Sequence, residues 1–231
     1  MAEQKEKILF VLTSHNKLGD TGKETGYHLS EVSHPWKVLH DAGYEINFVS
    51  PKGGHAPVTA FDLDDEINKE FWHNEKYRNR VENTKKPSEI KPSDYKAIFF
   101  AGGHGTVWDF PENKELQKIA ATIYESGGIV SSICHGAAAL VNLKLSDGSY
   151  LVDGKDVNSF TDSEEKEQGL EDVVPFLVES KLRERGAKFH QAANGEAKVV
   201  VDGRLITGQN PASATPLGQT LKRELKEVEV V

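Results

Sequence analysis

The residues with the clearest chemical potential surround Cys134, the one cysteine of this 231-residue chain. An apolar stretch at 129–133 leads directly into it, and the small residues that follow predict the start of a helix. A nucleophile on so sharp a strand-to-helix turn has a strained backbone, so the residues two positions away must be small, as Ser132 and Gly136 are. Because the start of a helix favours negative charge, we predict that Cys134 is a nucleophile held as a thiolate. The alternative is a buried, inert cysteine.

Main-chain amides near this turn are predicted to stabilise an oxyanion. The amide of His135 points towards the nucleophile in such a turn. A second glycine-rich loop, AGGHGT at 101–106, follows the preceding strand and should lie beside the turn. Its glycines allow the backbone to direct amides inward, which makes Gly103 the second predicted donor. His104 is predicted to contact substrate, whereas a lone histidine in such a loop is more often a structural hydrogen-bonding residue.

An acidic partner for the cysteine is predicted at Glu31, near the start of the helix that follows the first strand. We expect that strand to neighbour the strand that ends at Cys134. A protonated Glu31 would donate a hydrogen bond to the thiolate and lower the pKa of Cys134. A metal site formed by His28, Glu31 and His34 is not expected, because six residues rotate a helix by about 240° from the first position. We therefore predict no metal site at these residues, and we predict no cofactor.

The pattern of the chain explains how these residues are positioned. Short apolar stretches alternate with helical segments, which predicts a doubly wound, mostly parallel sheet in a three-layer αβα sandwich, with the site at the carboxyl ends of the strands. Asp202-Gly203 between two apolar stretches predicts a β-hairpin at 199–207. Asn210 and Pro211 are typical of a helix N-cap and first helical position. The predicted strands are 7–13, 45–49, 97–101 and 129–133, and the predicted helices are 30–42, 113–126, 173–185 and a C-terminal helix.

The segment 53–92 interrupts this alternation. It is rich in charged, aromatic and turn-forming residues, and its helical candidate is 64–74. We predict a small cap insertion there, within one domain at 1–231, and an irregular surface excursion is the alternative.

Composition restricts the possible partners. Hydrophobic residues make up 37% and charged residues 28% of the chain, which is typical of a folded globular protein. The formal charge of −8 repels nucleic acid and anionic membrane surfaces. The apolar residues near the N-terminus are too few for a signal peptide, and a single cysteine cannot form an intramolecular disulfide. We therefore predict a cytoplasmic protein with no nucleic-acid or membrane partner.

Taken together, these motifs resemble the ThiJ/PfpI superfamily, which has the class I glutamine amidotransferase-like fold. The similarity is greatest to its glyoxalase III and stress-chaperone heat-shock branch. The matching segments span nearly the whole chain: TSHN at 13–16, Glu31 with His34-Pro35, AGGHGTVWDFP at 101–111, SICHGAAAL at 132–140, SFTDSEE at 159–165 and DGRLITGQNPASA at 202–214.

This resemblance implies an activity and roles for residues. Members of the branch convert methylglyoxal, a small dicarbonyl, to lactate without glutathione, as lyases of the D-lactate dehydratase type. Some suppress aggregation of unfolded proteins, some are described as deglycases, and homodimers are usual. The resemblance makes Cys134 the nucleophile, His135 its partner, Glu165 or the adjacent Glu164 the third member of a triad, and Glu31 the acid beside the cysteine.

Three other functions are alternatives to this activity. A cysteine peptidase or amidase needs the same nucleophile, but glutamine amidotransferases carry a His-Pro-Glu partner that the surroundings of His190 lack. A holding chaperone would need an exposed apolar patch, for which Phe71, Trp72 and Trp108 are candidates, although ordinary packing is expected. A redox sensor would use oxidation of Cys134 itself.

Overall fold

Helices and strands alternate along the chain in a computed structural model that describes residues 4–228. The strands are β1 (Lys7–Val11), β2 (Tyr27–His28), β3 (Glu45–Val49), β4 (Val58–Thr59), β5 (Tyr95–Phe100), β6 (Ile129–Ile133), β7 (Asp156–Val157), β8 (Lys188–Phe189), β9 (Val199–Asp202) and β10 (Leu205–Gly208). The helices are α1 (Leu29–Asp41), α2 (Glu66–His73), α3 (Glu75–Glu82), α4 (Thr106–Asp109), α5 (Lys114–Glu125), α6 (Asp162–Glu167), α7 (Val178–Glu184) and α8 (Ala214–Val228). A 3-10 helix covers Cys134–Leu140.

The central sheet has six strands in the order β3-β1-β5-β6-β10-β9. All neighbouring pairs are parallel except β9 and β10, which form the predicted antiparallel hairpin. The chain leaves β1 towards β3 on one side and returns to β5 on the other. The carboxyl ends of β1 and β5 therefore flank a switch point, where doubly wound sheets place their ligands.

Two apolar cores cover the two faces of the sheet. Along β1, Ile8 and Phe10 belong to one core, and Leu9 and Val11 belong to the other. Because successive strand residues face opposite sides, a strand buried on both faces must be apolar throughout. The predicted three-layer αβα sandwich with a mostly parallel sheet is confirmed.

Helix α1 carries Glu31 and packs closely against α8. A Cβ atom on Gly218 of α8 would lie 3.0 Å from the Cα atom of Pro35 and 3.3 Å from side-chain atoms of Val38. The missing side chain at Gly218 thus allows the two helices to approach at Pro35, four residues after Glu31. This contact fixes the helix from which the buried acid projects.

The segment 53–92 contains β4, α2 and α3. Asp65 caps α2 by accepting from the amides of Ile67 and Asn68. The Asn68 side chain donates to Ser30 of α1 and forms a short hydrogen bond with Ser33. The segment is thereby joined to the first turns of α1, and its role as a cap stays a prediction. The ends of the predicted domain, residues 1–3 and 229–231, lie outside the described residues.

Two predicted helices differ from the observed ones. The helix predicted at 173–185 begins only at Val178, with Leu177 as its N-cap residue, and Pro175 inside the predicted range disfavours the helical conformation in the residue before it. The residues after Cys134 form a 3-10 helix rather than an α-helix. The other predicted helices and strands are confirmed within three residues at their ends. Within the described residues, no helix is long and apolar enough to cross a membrane.

We predict that Gly218→Leu lowers the free energy of unfolding by about 1–3 kcal/mol, because the new side chain separates α8 from α1. Urea denaturation measures this change. Gln219→Leu, on the exposed side of the same helix, is the matched control and should stay within about 0.5 kcal/mol of the unmodified protein. Equal stability of the two variants would contradict the proposed close contact.

Candidate active site

Cys134 has the strained backbone that the sequence predicts. Its φ angle is +57°, and only one other non-glycine residue of the described chain, Ala60, has a positive φ. The turn needs a small residue at Gly136, where a Cβ atom would lie 2.3 Å from the carbonyl oxygen of Phe100. A left-handed conformation costs a non-glycine residue of order 1–3 kcal/mol, so the surrounding packing must hold the turn.

A chain of three side chains starts at the sulfur. Sγ of Cys134 lies 3.4 Å from Nδ1 of His135. On the other side of the ring, Nε2 of His135 lies 2.5 Å from Oε2 of Glu165. The structure thus places a nucleophile, a base and an orienting carboxylate in line, as cysteine and serine enzymes of acyl transfer do.

Glu165, rather than Glu164, contacts His135. Burial opposes ionisation of Glu165, but His135 and His104 outweigh it and lower the pKa of the carboxyl to about 2. Because an ionised carboxylate only accepts hydrogen bonds, Nε2 of His135 carries the proton and Nδ1 is free to accept one. Burial and then His104 lower the pKa of His135 to about 4, against the attraction of Glu165.

Glu164 has a different task. Its side chain accepts hydrogen bonds from the amide and hydroxyl of Thr161, the amide of Gly195, and the side chains of Gln209 and Asn210. These donors fix the first turn of α6 and so fix the direction of its neighbour Glu165. Asn210 is the N-cap residue of a short 3-10 helix with Pro211 in its first turn, as predicted, but its side chain makes no capping hydrogen bond and its amide donates to Glu164 instead.

Glu31 is fully buried beside the cysteine. Strand β1, which precedes the helix of Glu31, was expected to neighbour β6, the strand that ends before Cys134. This prediction is wrong, because β5 lies between β1 and β6. The carboxyl instead crosses the end of β5 at Gly102, where a Cβ atom would lie 2.1 Å from Oε2 of Glu31 and 2.9 Å from Cβ of Cys134. The missing side chain at Gly102 therefore leaves the space through which the acid reaches the thiol.

Burial raises the pKa of Glu31 from 4.5 to about 8, against weaker effects of the Cys134 thiol and the Gly102 amide. Neither carboxyl oxygen meets full hydrogen-bond geometry with a partner among residues 4–228. Near pH 7 Glu31 is therefore protonated, as predicted, and has a proton to donate towards the sulfur.

The predicted low pKa of Cys134 is wrong for this closed site. Burial, followed by the charge of Glu31 when it is ionised, raises the pKa of the thiol well above its ordinary value. The amide of His135 faces the sulfur and lowers the pKa, but by less. The seven-residue 3-10 helix does not overcome this burial, so the thiol is neutral at rest and needs a base.

The glycine loop and the cysteine turn are tied together by Thr106. Its hydroxyl lies 2.8 Å from the carbonyl oxygens of both Gly103 and His135. Gly103 itself has a φ angle of +115°. This arrangement brings Gly103 beside the cysteine turn, as the sequence predicts, and its role as an oxyanion donor stays a prediction.

His104 enters the site through Glu165. Its Nε2 lies 2.7 Å from Oε1 of Glu165, and its ring centroid lies 4.0 Å from that of His135. Sequence reasoning missed this link because the loop and α6 are 61 residues apart. It also predicted no metal site, yet His104, His135 and Glu165 place three possible ligand atoms within 4.8 Å of one another.

The other residues singled out in the sequence have structural contacts. His34 lies 2.9 Å from both Thr215 and Asp65, and His190 lies 2.7 Å from Asp156 in an exposed pair. Phe71 is buried, and Trp108 stacks on His15. His28 was considered only as a metal ligand, yet its main-chain amide donates to Gly102 and its Nδ1 is buried without a hydrogen-bond partner among the described residues.

The raised pKa of Glu31 predicts a pH-dependent stability. Between pH 4.5 and about 8 the unfolded chain has lost this proton while the folded chain keeps it. The contribution of protonated Glu31 to the free energy of unfolding is therefore complete below pH 4.5. It is lost as the pH rises towards 8, by up to about 1.4 kcal/mol per pH unit. Glu31→Gln should lack this loss, so its stability relative to the unmodified protein should increase over this range in urea denaturation.

The control for this measurement is Glu115→Gln, which removes an exposed carboxyl from α5. Its difference from the unmodified protein should not change with pH over the same range. A constant difference for Glu31→Gln as well would show that the buried carboxyl is ionised in the folded protein.

Known proteins share this architecture and much of this sequence. The glyoxalase 3 of Candida albicans is 36% identical over 226 residues, covering 90% of this chain and 93% of its own. The glutathione-independent glyoxalase HSP31 of Saccharomyces cerevisiae is 34% identical over 222 residues, with the same coverage of 90% and 93%.

Solved structures agree with these similarities. The Rapid Encystment Protein 24 kDa of Francisella tularensis has a TM-score of 0.91 and 38% identity, covering 96% of this chain and 99% of its own. The glyoxalase III structure from Candida albicans has a TM-score of 0.86 and 33% identity, covering 94% and 96%. The profile of the DJ-1/PfpI family matches residues 23–224. With its parallel sheet, its strained cysteine turn and these relatives, the chain belongs to the DJ-1/PfpI family.

Proposed function

We propose that this protein is a glutathione-independent glyoxalase that converts methylglyoxal to lactate. The observation that carries the proposal is the alignment of the Cys134 thiol with His135 and Glu165, over 3.4 Å and 2.5 Å. Support comes from the relatives that cover nine-tenths of the chain, which are named as glyoxalases. The reaction is an internal oxidation and reduction of one substrate, so it needs no nicotinamide, flavin or metal.

The nucleophile forms by proton transfer during the reaction. Since burial keeps the thiol protonated, Nδ1 of His135 accepts the proton as sulfur attacks the aldehyde carbon. The Glu165 carboxylate stabilises the resulting imidazolium through Nε2, as orienting acids do in other triads. A pair of this kind supplies a strong nucleophile only when substrate is present.

The remaining groups act on the oxygen atoms of the substrate. Attack on the aldehyde gives a hemithioacetal, whose oxygen the amides of His135 and Gly103 stabilise and the proton on His135 neutralises. Protonated Glu31 donates a hydrogen bond at the same centre. His104, at the partly exposed side of the site, contacts the second substrate oxygen.

The hydrogen on the former aldehyde carbon then moves as a proton. His135, neutral again after it has protonated the hemithioacetal oxygen, removes it while Glu31 gives its proton to the second substrate oxygen, and an enediol forms. Return of a proton to the adjacent carbon gives the thioester of lactate on Cys134. Glu31 recovers a proton from the other hydroxyl group when the thioester forms. Water hydrolyses the thioester, which releases lactate and restores the thiol. One water molecule is consumed and no external electron carrier takes part.

The closed site favours a small substrate over a polypeptide. Cys134 is 4% exposed and Glu31 is fully buried, and the ring of Phe160 lies 4.5 Å from that of His135. An extended peptide would need these groups to move before it reached the sulfur. This argues against the peptidase alternative, while a homodimer, a cytoplasmic location and chaperone or deglycase activity stay predictions.

Cys134→Ala should abolish lactate formation from methylglyoxal in the absence of glutathione, measured with enzymes specific for D- and L-lactate. Suppression of protein aggregation, if the protein has it, should survive this change because it needs no nucleophile. Retained lactate formation in Cys134→Ala would contradict the proposal. Inactivity of the unmodified protein on dicarbonyls, together with cleavage of peptides or amides, would favour a hydrolase.

Glu165→Gln should lower kcat for methylglyoxal by about 100-fold or more, because His135 loses the charge that stabilises its protonated form. KM should change little, since this carboxylate acts on the base. Glu167→Gln, an exposed change in the same helix, is the control and should keep kcat. Equal kcat values for the two variants would show that Glu165 does not take part in the proposed mechanism.

A further inference from the structure

The carboxylate of Glu165 is shared by two histidines, and the triad needs only one of them. Oε2 faces Nε2 of His135 at 2.5 Å, and Oε1 faces Nε2 of His104 at 2.7 Å. Among the residues that the structure describes, this is the group in which three side chains offer metal-ligand atoms within 4.8 Å of one another. Two imidazoles and one carboxylate are a common ligand set for zinc sites that keep an open position.

The distances suit a small divalent ion. Zinc lies about 2.0–2.2 Å from nitrogen and oxygen ligands, so tetrahedral ligand atoms lie about 3.4 Å apart. The present separations of 2.5 Å and 2.7 Å need to widen by less than about 1 Å, within the reach of side-chain rotation.

The site also has an entrance. The side chain of His104 is 17% exposed, whereas those of His135 and Glu165 are 1% and 4% exposed. An ion would therefore arrive from the side of His104 and keep a water molecule there as its fourth ligand. The Cys134 sulfur lies at Nδ1, on the other side of the His135 ring, and is outside the ligand set.

We propose that His104, His135 and Glu165 form a reversible inhibitory site for a divalent transition-metal ion such as zinc. The ion replaces the proton on Nε2 of His135, and that proton moves to Nδ1 of the same ring; His104 likewise coordinates through Nε2 with its proton on Nδ1. A metal on Nε2 leaves Nδ1 of His135 protonated, and this nitrogen faces the sulfur. His135 can then no longer accept the proton of the thiol.

Binding and inhibition are separate parts of this proposal. Inhibition rests on the proposed glyoxalase function, whereas binding depends only on the three ligands. Hard ions that prefer oxygen ligands, such as magnesium, should bind poorly to a site with two imidazoles. The test therefore measures binding first and activity second.

The binding experiment is isothermal titration of the purified full-length protein with zinc, repeated by competition with a chromogenic chelator. The unmodified protein should bind one zinc ion per chain, and magnesium should not compete. His104→Ala and Glu165→Gln should each weaken binding at least about 10-fold, as loss of a ligand requires. Cys134→Ala should bind zinc as the unmodified protein does, because the sulfur is not a ligand.

The matched control is His190→Ala, which removes one member of the exposed His190–Asp156 pair and should leave zinc binding unchanged. Circular dichroism and urea denaturation of each variant check that it is folded. Cobalt supplies a second readout, with visible bands of nitrogen and oxygen coordination and no thiolate charge-transfer band. Loss of binding in Cys134→Ala, or no loss in both His104→Ala and Glu165→Gln, would overturn the proposed ligand set.

Activity gives the second half of the test. Zinc should inhibit lactate formation by the unmodified protein, and a chelator should restore the activity. Stoichiometric binding by a protein that never acts on methylglyoxal would reject the proposed function and keep the metal site. An active protein that does not bind zinc would reject the metal site and keep the function.

Discussion

The site depends on a carboxyl group that the fold encloses without full hydrogen bonding. Glu31 has no exposed surface, and its oxygens lie against the main chain at Gly102 and beside the Cys134 thiol. A buried carboxylate without partners would be costly, so the group keeps its proton. The acid can occupy this place only because the chain has no side chain at Gly102. One absent methyl group thus determines what surrounds the sulfur.

Two glutamates of the site have opposite environments. Burial raises the pKa of Glu31 to about 8, while two imidazoles lower that of Glu165 to about 2. Carboxyls whose pKa values are separated in this way take different roles, one as a donor and the other as an anion. Glu164 is fixed by five hydrogen bonds and takes neither role, although it is the sequence neighbour of Glu165.

Most of the fold can be predicted from the sequence, because each buried strand is a short apolar segment and because glycine, proline and asparagine mark the ends of helices and strands. The turn at Cys134 can also be predicted, since Cys134 lies between an apolar strand and small residues. The order of the strands cannot be predicted in this way, so the expectation that the strand before the Glu31 helix neighbours the strand before Cys134 was wrong. Adjacent residues of a helix differ by 100° in direction. The sequence alone therefore does not show which of the two neighbours, Glu164 or Glu165, faces His135.

The extent to which Cys134 is buried is the other property that could not be predicted from the sequence. The pKa of Cys134 depends on how completely water is excluded, and only the packed structure shows that exclusion. The segment at 202–214 was recognised and Asn210 is the N-cap residue that it predicts, but this local interpretation does not reveal the long-range contact of the Asn210 side chain. Asn210 binds an acid 46 residues away, and no local pattern predicts such a partner.

Pro35 has an effect on the site although it does not touch it. A proline has no amide hydrogen, so the main-chain carbonyl of Glu31, four positions earlier, lacks the amide that would ordinarily donate to it in an α-helix. The first turn of α1 is instead located by contacts outside the helix, such as the His28 amide on the carbonyl of Gly102. The position of the acid therefore depends on tertiary contacts as well as on the hydrogen bonds of α1. The hydrogen-bond ladder of α1 is thus interrupted at the residue whose carboxyl group must meet the sulfur.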